Sequence, residues 1–198
     1  MSNQPWEQTG VTSDAYDTRF AALASSGKDV HGEANFVATF DVSSVLDAGC
    51  GTGRVAIELA RRGLTVVGVD RDPEFFRLAR QKAPHLPWVL ADLATVELTT
   101  ADTPPRLQRF DAVVMAGNVM IFLDQGTEAV VIANLARHLT PGGLLIAGFQ
   151  LQPGRVDLYH YDTYASHAGL ELLQRWSTWE RQPWHPASDY AVSVHRRR

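Results

Sequence analysis

Short, continuously apolar runs alternate along this chain with longer stretches in which apolar residues return every three or four positions. The runs Ser44–Ala48, Thr65–Val69, Pro87–Ala91, Phe110–Ala116 and Leu144–Phe149 read as strands, the best defined of them apolar on both faces. Between them Val55, Ala56, Leu59 and Ala60, then Phe75, Phe76, Leu78 and Ala79, then Ala129, Ile132, Ala133, Ala136 and Leu139 repeat at helical spacing. Gly63 ends the first of these helices, Asp72-Pro73 opens the second as a cap followed by proline, and Pro84 stops it. The third is expected from about Gly126 to His138, and Pro141-Gly142-Gly143 as a sharp turn into the fifth strand. The segment 93–109, with Pro104 and Pro105, predicts a long connection.

Two helices are expected ahead of the first strand. One spans about Ala15 to Ala24, capped by Asp14, with Tyr16, Phe20, Leu23 and Ala24 near one face. The other runs from about Glu33 to Phe40, with Phe36, Val37 and Phe40 as its stripe. The polar first dozen residues, with Pro5 and Gly10, predict no regular element. The end of the chain changes character: a helix over Tyr159–His167, a polar–apolar alternation from Leu170 to Glu180, and a strand over Tyr190–His195. Alternating strands and helices with doubly apolar strands predict an α/β, Rossmann-like, doubly wound, mostly parallel sheet, and the last two strands an antiparallel C-terminal hairpin that closes it.

Composition narrows the class without changing this picture. A chain of 198 residues with 45% hydrophobic and 20% charged residues fits one soluble domain. Within residues 1–198 it divides into an N-terminal helical cap (1–43), a core (44–149) and a third segment (150–198) with the closing hairpin. Net charge is −4 and the only basic run is Arg196-Arg197-Arg198, read as a solvated chain end, so nucleic acid is not an expected partner. The single cysteine, Cys50, excludes an internal disulfide and a multi-cysteine zinc site. No His/Asp/Glu cluster has metal-ligand spacing, no apolar run nears the roughly 18 residues of a membrane span, and nothing resembles a signal peptide. The expectation is a cytoplasmic protein, monomer or homodimer, without metal or membrane.

The candidate chemistry gathers at the carboxyl ends of the strands, where open α/β sheets bind ligands. The stretch Val45-Leu46-Asp47-Ala48-Gly49-Cys50-Gly51-Thr52-Gly53-Arg54 compresses a strand, a tight turn and a helix start. A dinucleotide cradle would put its third glycine at position 54, where this chain has Arg54, and the glycines bunch inside the loop instead. Asp70 ends the next strand, where a carboxylate can accept both hydroxyls of a ribose. Asp92 and the Ala116-Gly117-Asn118 break end the third and fourth strands on the same rim. Taken singly, Asp47 and Asp92 could as well cap loops, Asp70 a helix, and Cys50 fill the glycine turn.

The ordered runs VLDAGCGTGR, VVGVDRDP, LADL, FDAVVMAGNVMIF and LTPGGLLIAGF resemble the class I S-adenosylmethionine-dependent methyltransferases over residues from about 44 to 149. The resemblance implies a seven-stranded sheet, S-adenosylmethionine as cofactor, and a set of binding residues. Asp47, Gly49, Cys50, Gly51 and Gly53 would lie along its methionine part. Asp70 would take the ribose hydroxyls and Arg71 would lie beside the adenine, where hydrophobic residues are commoner. Asp92 would accept from the adenine amino group with Leu93 nearby, and Ala116 would offer its carbonyl to the cofactor's amino group. Tyr16 and Arg19 would cover the methionine end. Because a methylsulfonium is already activated, catalysis is expected mainly by holding the acceptor in line. Weak candidates for a general base are His160, Tyr159, Tyr161 and His31. The chain lacks an Asn/Asp-Pro-Pro-aromatic motif after the fourth strand and an inserted recognition domain, so a small-molecule acceptor is expected. Its pocket is expected between the N-terminal helices and residues 151–167, where Tyr159, Tyr161 and Tyr164 suggest a planar or apolar molecule. The alternatives are a nicotinamide-dependent reductase, in which Arg71 meets a phosphate, and a cofactor-binding module without catalysis.

Overall fold

The computed structural model describes residues 12–198 and, of Ser13, the backbone alone. The irregular segment expected around Pro5 and Gly10 lies outside the described residues. In chain order the elements are α1 (Ser13–Ser25), α2 (Gly32–Val37), β1 (Ser44–Ala48), α3 (Arg54–Arg61), β2 (Thr65–Asp70), α4 (Pro73–Lys82) and β3 (Trp88–Leu90). They continue with β4 (Phe110–Met115), α5 (Val119–Phe122), α6 (Glu128–Arg137), β5 (Leu139–Gln150), α7 (Leu158–His167), β6 (Leu170–Trp176) and β7 (Tyr190–Arg197). One seven-stranded sheet runs β3-β2-β1-β4-β5-β7-β6. The first five strands pair in parallel, and β7 lies antiparallel between β5 and β6. The strand order therefore reverses beside β1, between β2 and β4, where a ligand crevice opens.

Alternate residues of each strand feed two cores. On one face Val45, Val66, Ala112, Val114, Ile146, Val192 and Val194 pack with α2 and α3, through Phe36, Val37, Val55 and Leu59. On the other, Leu46, Val67, Val113, Met115, Leu145 and Phe149 pack with α5, α6 and α7, through Met120, Ile132, Leu135 and Tyr161. Asp72 caps α4, accepting from the amides of Glu74 at 2.8 Å and Phe75 at 3.1 Å ahead of Pro73 at the first helical position. Among the described residues no helix is long and apolar enough to cross a membrane.

The structure corrects several expected boundaries. α1 starts earlier and is capped by Thr12, whose hydroxyl accepts from the Ala15 amide at 3.2 Å. Asp14 consequently falls in the first turn, where its charge suits the helix dipole. α2 stops at Val37, and residues 38–40 form a turn that carries Phe40 back against Phe36. A four-residue helix, α5, follows the Gly117-Asn118 break, with Asn118 left-handed at φ 69° and its side chain accepting from the Gln150 amide at 2.9 Å. Pro141-Gly142-Gly143 is not a turn ahead of β5 but a bulge inside it: Leu139 already pairs with Phe110, and the register shifts before Leu144 meets Ala112. β6 ends at Trp176, short of Glu180. β7 runs on to Arg197, so the terminal arginines are not a free end. Arg196 and Arg198 pair with Glu171, and Arg197 donates to the carbonyls of Arg137 and Leu139.

Candidate functional site

A cavity of about 300 Å³ opens at the carboxyl rim of β1, β2 and β4, at the low end of the size range of small-molecule sites. The turn after β1 supplies its floor. The amides of Gly49 and Cys50 both donate to the Val69 carbonyl, at 2.8 and 3.0 Å, folding the loop back onto the end of β2. Gly51 then donates to the Asp70 carboxylate at 2.7 Å, and the Asp72 amide donates to its other oxygen at 2.9 Å. Asp70 is thus fixed by two amides at the cavity wall, with lone pairs left for a further donor. Burial, first of all, raises its pKa, against the pull of these amides. A side chain at Gly49, φ 78°, would bring its Cβ to 2.6 Å of Val119, which packs across the turn.

Asp47 lies under the loop, 1% exposed, and accepts from the Ala56 amide of α3 at 3.0 Å. Burial pushes its carboxyl up to about 7, opposed by the Ala56 bond and by Arg54. Arg54, at the start of α3, holds the cap in place. It donates to both oxygens of Glu33 at 2.8 and 2.5 Å, donates to the Val30 carbonyl at 2.5 Å, and sits 4.2 Å over the Phe20 ring. Burial works against this guanidinium's charge, but the Glu33 pair outweighs it and raises its pKa. The position that excludes a third glycine is therefore the one that ties α1 and α2 to the cradle.

α1 lies over the glycine-turn side of this rim, on the strength of three contacts. Thr52 donates to Asp17 at 2.6 Å, Lys82 pairs with Asp17 at 2.5 Å, and the Tyr16 ring meets Phe75 edge-on at 6.0 Å. A Cβ at Gly117 would stand 3.9 Å from the Tyr16 hydroxyl, whose pKa burial raises. At the opposite end, Arg71 spans the tips of three elements: it donates to Asp124 at 2.9 Å, reaches the Phe122 carbonyl at 3.4 Å, and lies 3.5 Å from Asp92. Asp92 uses its other oxygen on the Ala94 amide at 2.8 Å.

Of the residues expected at the cofactor, Asp47, Gly49, Cys50, Gly51, Asp70, Arg71, Asp92, Leu93, Ala116 and Tyr16 line this one cavity. Gly53 and Arg19 do not. Gly53, φ 84°, caps α3 in the left-handed region, and a Cβ there would stand 2.6 Å from Trp88, so it serves the packing of α3 against β3. Arg19 is exposed on α1. Cys50 packs with its thiol pushed well up by burial, which suits a filler and not a nucleophile. The candidate bases stand elsewhere. Tyr159 is 76% exposed, His160 is exposed and paired with Asp157 at 2.8 Å, and His31 is half-buried at the start of α2.

The expected acceptor wall over residues 151–167 is also displaced. α7 packs against α6 and β6, and Tyr161 is buried in the core between Phe149 and His195. Its place beside the cavity is taken by α5 and the loop after it, through Val119, Phe122, Leu123 and Thr127, which the sequence reading missed. The signal was there: Val119-Met120-Ile121-Phe122 is an apolar run directly after a Gly-Asn break, too close to β4 to form another strand.

A model described as a methyltransferase domain matches residues 45–143. A TehB-like S-adenosylmethionine-dependent methyltransferase from Corynebacterium glutamicum is 33% identical, with a TM-score of 0.82 over 94% of this chain and 98% of that one. Trans-aconitate 2-methyltransferase of Azoarcus sp. is 36% identical over 108 residues, 53% of this chain and 38% of that protein. An uncharacterized methyltransferase of Mycobacterium tuberculosis is 34% identical over 125 residues, 62% of this chain and 58% of that protein. The matches thus span less than two-thirds of the length of these curated relatives. S-adenosylmethionine fits the residues present: glycines at the floor admit close approach, Asp70 keeps free lone pairs, and carboxylates outnumber guanidiniums around a cationic ligand.

Proposed function

The chain belongs to the class I S-adenosylmethionine-dependent methyltransferases, and from that membership we propose that it methylates a small-molecule acceptor at the cavity beside β1. The observation that carries the reading is the Asp70 carboxylate, fixed by the Gly51 and Asp72 amides at the mouth of a glycine turn. Asp70 takes the two ribose hydroxyls, and Asp92 accepts from the adenine amino group. Asp47, the glycine turn and the Ala116 carbonyl line the amino-acid end. Arg71 closes the base end by joining Asp92 to Asp124. When bound, the cofactor supplies a methyl on a sulfonium, already activated for displacement. The protein's part is to hold the acceptor in line and exclude water, which can account for a large share of the barrier lowering. Tyr16, over Gly117, covers that end of the cavity.

Two features disfavour a nicotinamide cofactor. Arg54 occupies the position of the third glycine and is committed to Glu33, and Arg71, which would have to meet a phosphate, is committed to Asp124 and Asp92. Calorimetry tests the assignment. S-adenosylhomocysteine is expected to bind and reduced nicotinamide nucleotides are not, and Asp70→Ala is expected to weaken the former by about 2–4 kcal/mol, the cost of losing charge-assisted bonds to both hydroxyls. Undiminished binding in Asp70→Ala would remove the assignment. Transfer of labelled methyl to any small-molecule acceptor separates the enzyme from a module that only binds.

A further inference from the structure

β2 ends at Asp70, and the next residue, Arg71, carries a long cation across the base end of the cavity. Two carboxylates from other elements meet it. Asp124, in the turn after α5, accepts from Nη1 at 2.9 Å and from Nη2 at 3.4 Å. Asp92, just past the end of β3, lies 3.5 Å from the same Nη1. One nitrogen is thus shared unequally, with Asp124 in the nearer place. Asp124 does not itself line the cavity, and its own turn sets its position: its carbonyl accepts from the Thr127 amide at 3.0 Å and the Thr127 hydroxyl at 2.6 Å. The Phe122 carbonyl, 3.4 Å from Nη2, steadies the guanidinium on that side.

Asp92 has less to spare. Its Oδ1 accepts from the Ala94 amide at 2.8 Å, so Oδ2, the atom beside Arg71, is the one left for a ligand. A guanidinium lying fully on that oxygen would occupy the approach to it. It would also offset the charge that makes a carboxylate a strong acceptor. Removing the charge of Asp124 while keeping Arg71 leaves Asp92 as the carboxylate within reach of Nη1.

We propose, resting on the reading above that Asp92 accepts from the adenine amino group, that Asp124 is a positioning residue for the cofactor. It draws Arg71 off Asp92 and so keeps Oδ2 of Asp92 open to the purine's 6-amino group. Asp124 acts through Arg71 and touches no part of the cofactor. Two consequences follow from the geometry. The base end favours a purine with an amino group only while the second carboxylate holds the guanidinium, and Arg71 works against binding once Asp124 is neutral.

Calorimetry on the full chain tests this with two probes, S-adenosylhomocysteine and its 6-desamino analogue, in which hydrogen replaces the purine amino group. Asp124→Asn keeps a side chain of the same shape in the turn and removes its charge. This variant is expected to bind S-adenosylhomocysteine about fivefold more weakly, the scale of a half-exposed charge pair, and to bind the analogue as before. In an Arg71→Met background the same substitution is expected to change neither affinity, because no guanidinium is there to be released. Undiminished S-adenosylhomocysteine binding in Asp124→Asn overturns the proposal. So does an equal loss for both probes, or a loss that persists beside Arg71→Met, since either makes Asp124 a structural part of its loop. Asp92→Ala separates the proposal from the reading beneath it, and is expected to erase the preference for S-adenosylhomocysteine over the analogue. A preference that survives Asp92→Ala removes the base-end assignment and the proposal with it. A preference lost in Asp92→Ala but intact in Asp124→Asn removes the proposal alone.

Discussion

Asp47 carries a large electrostatic cost in the cradle. It is 1% exposed, and burial, only partly offset by the Ala56 amide and Arg54, pushes its carboxyl up to about 7. In an unfolded chain an aspartate titrates near about 3.9. Between these values the native state binds a proton that the unfolded state lacks, so this group's contribution favours folding at low pH. It is lost as pH rises to about 7, a swing of up to ~4 kcal/mol. Asp47→Asn keeps an oxygen for the Ala56 amide and removes the titration. Thermal unfolding should therefore show the variant gaining on the native chain from about pH 4.5 to about pH 8. A constant difference across that range would mean that Asp47 titrates normally. Part of this was legible in the sequence, because an aspartate inside an otherwise apolar strand has to be explained. The role of Arg54 was legible only as an exclusion. That it reaches Glu33 and Phe20 depends on where α1 and α2 come to rest, and no spacing in the sequence reports that.

Among the elements, the long connection between β3 and β4 holds its shape through side chains of α6. Asn134 donates to the carbonyls of Leu93 and Val96 at 3.0 and 2.8 Å. His138, just past the helix end, accepts from the Leu98 amide through Nε2 at 3.2 Å. Its proton then sits on Nδ1, 3.0 Å from the Asn134 carbonyl. Burial, chiefly, lowers the imidazole's pKa. A histidine held neutral in this way contributes stability that is present above its unfolded value of about 6.5 and lost as pH falls through the lower native value. The amides around Leu98 should therefore exchange with deuterium faster, relative to the sheet, at about pH 5 than at about pH 7.5. His138→Ala should abolish the difference and cost about 1–3 kcal/mol, the penalty of leaving a buried amide unpaired. Exchange at Leu98 that keeps pace with the sheet at both pH values would refute this. The connection begins at Asp92 and Leu93 in the cavity wall, so its order bears on the base end of the site. Elements of this kind resist reading from sequence. β1, α3 and β2 were legible because period and caps agree, whereas α5 and the bulge in β5 were not. Four residues cannot establish a helical period, and Pro-Gly-Gly has the composition of a turn whether or not a neighbouring strand pairs across it.

At the scale of the whole molecule, the chain's last strand is an interior strand. β7 pairs with β5 from Leu144↔Arg196 to Gln150↔Tyr190, and with β6 from Leu170↔Arg197 to Trp176↔Val192. Its inward residues Val192 and Val194 belong to the core that also holds α2 and α3. Buried polar groups tie the same strand to α7: Arg175 donates to Ser193 at 2.8 Å and to Asp162 at 2.5 Å, and His195 lies 3.1 Å from Asp162. The loop between β6 and β7 then reaches back to the N-terminal helices, with Trp176 and Trp179 packed edge-on to Phe36 at 5.2 and 5.4 Å. The single domain expected from the sequence accordingly leads us to propose that residues 12–43, 44–149 and 150–198, which pack on one another through these contacts, unfold as one cooperative unit. The side-chain ion pairs of Arg196 and Arg198 contribute little to it. Arg196 and Arg198 are half or more exposed and their pairs with Glu171 are screened by solvent, so Arg198→Ala should leave the melting transition almost unmoved. Ending the chain at Asp189 should do far more, because it takes a strand from within the sheet, strips β5 and β6 of their ladder bonds with it, and removes Val192 and Val194 from the core. The expected outcome is loss of the cooperative thermal transition by circular dichroism, together with loss of S-adenosylhomocysteine binding at the far side of the sheet. A truncated chain that still melts cooperatively and binds would show that residues 12–189 carry a self-sufficient core.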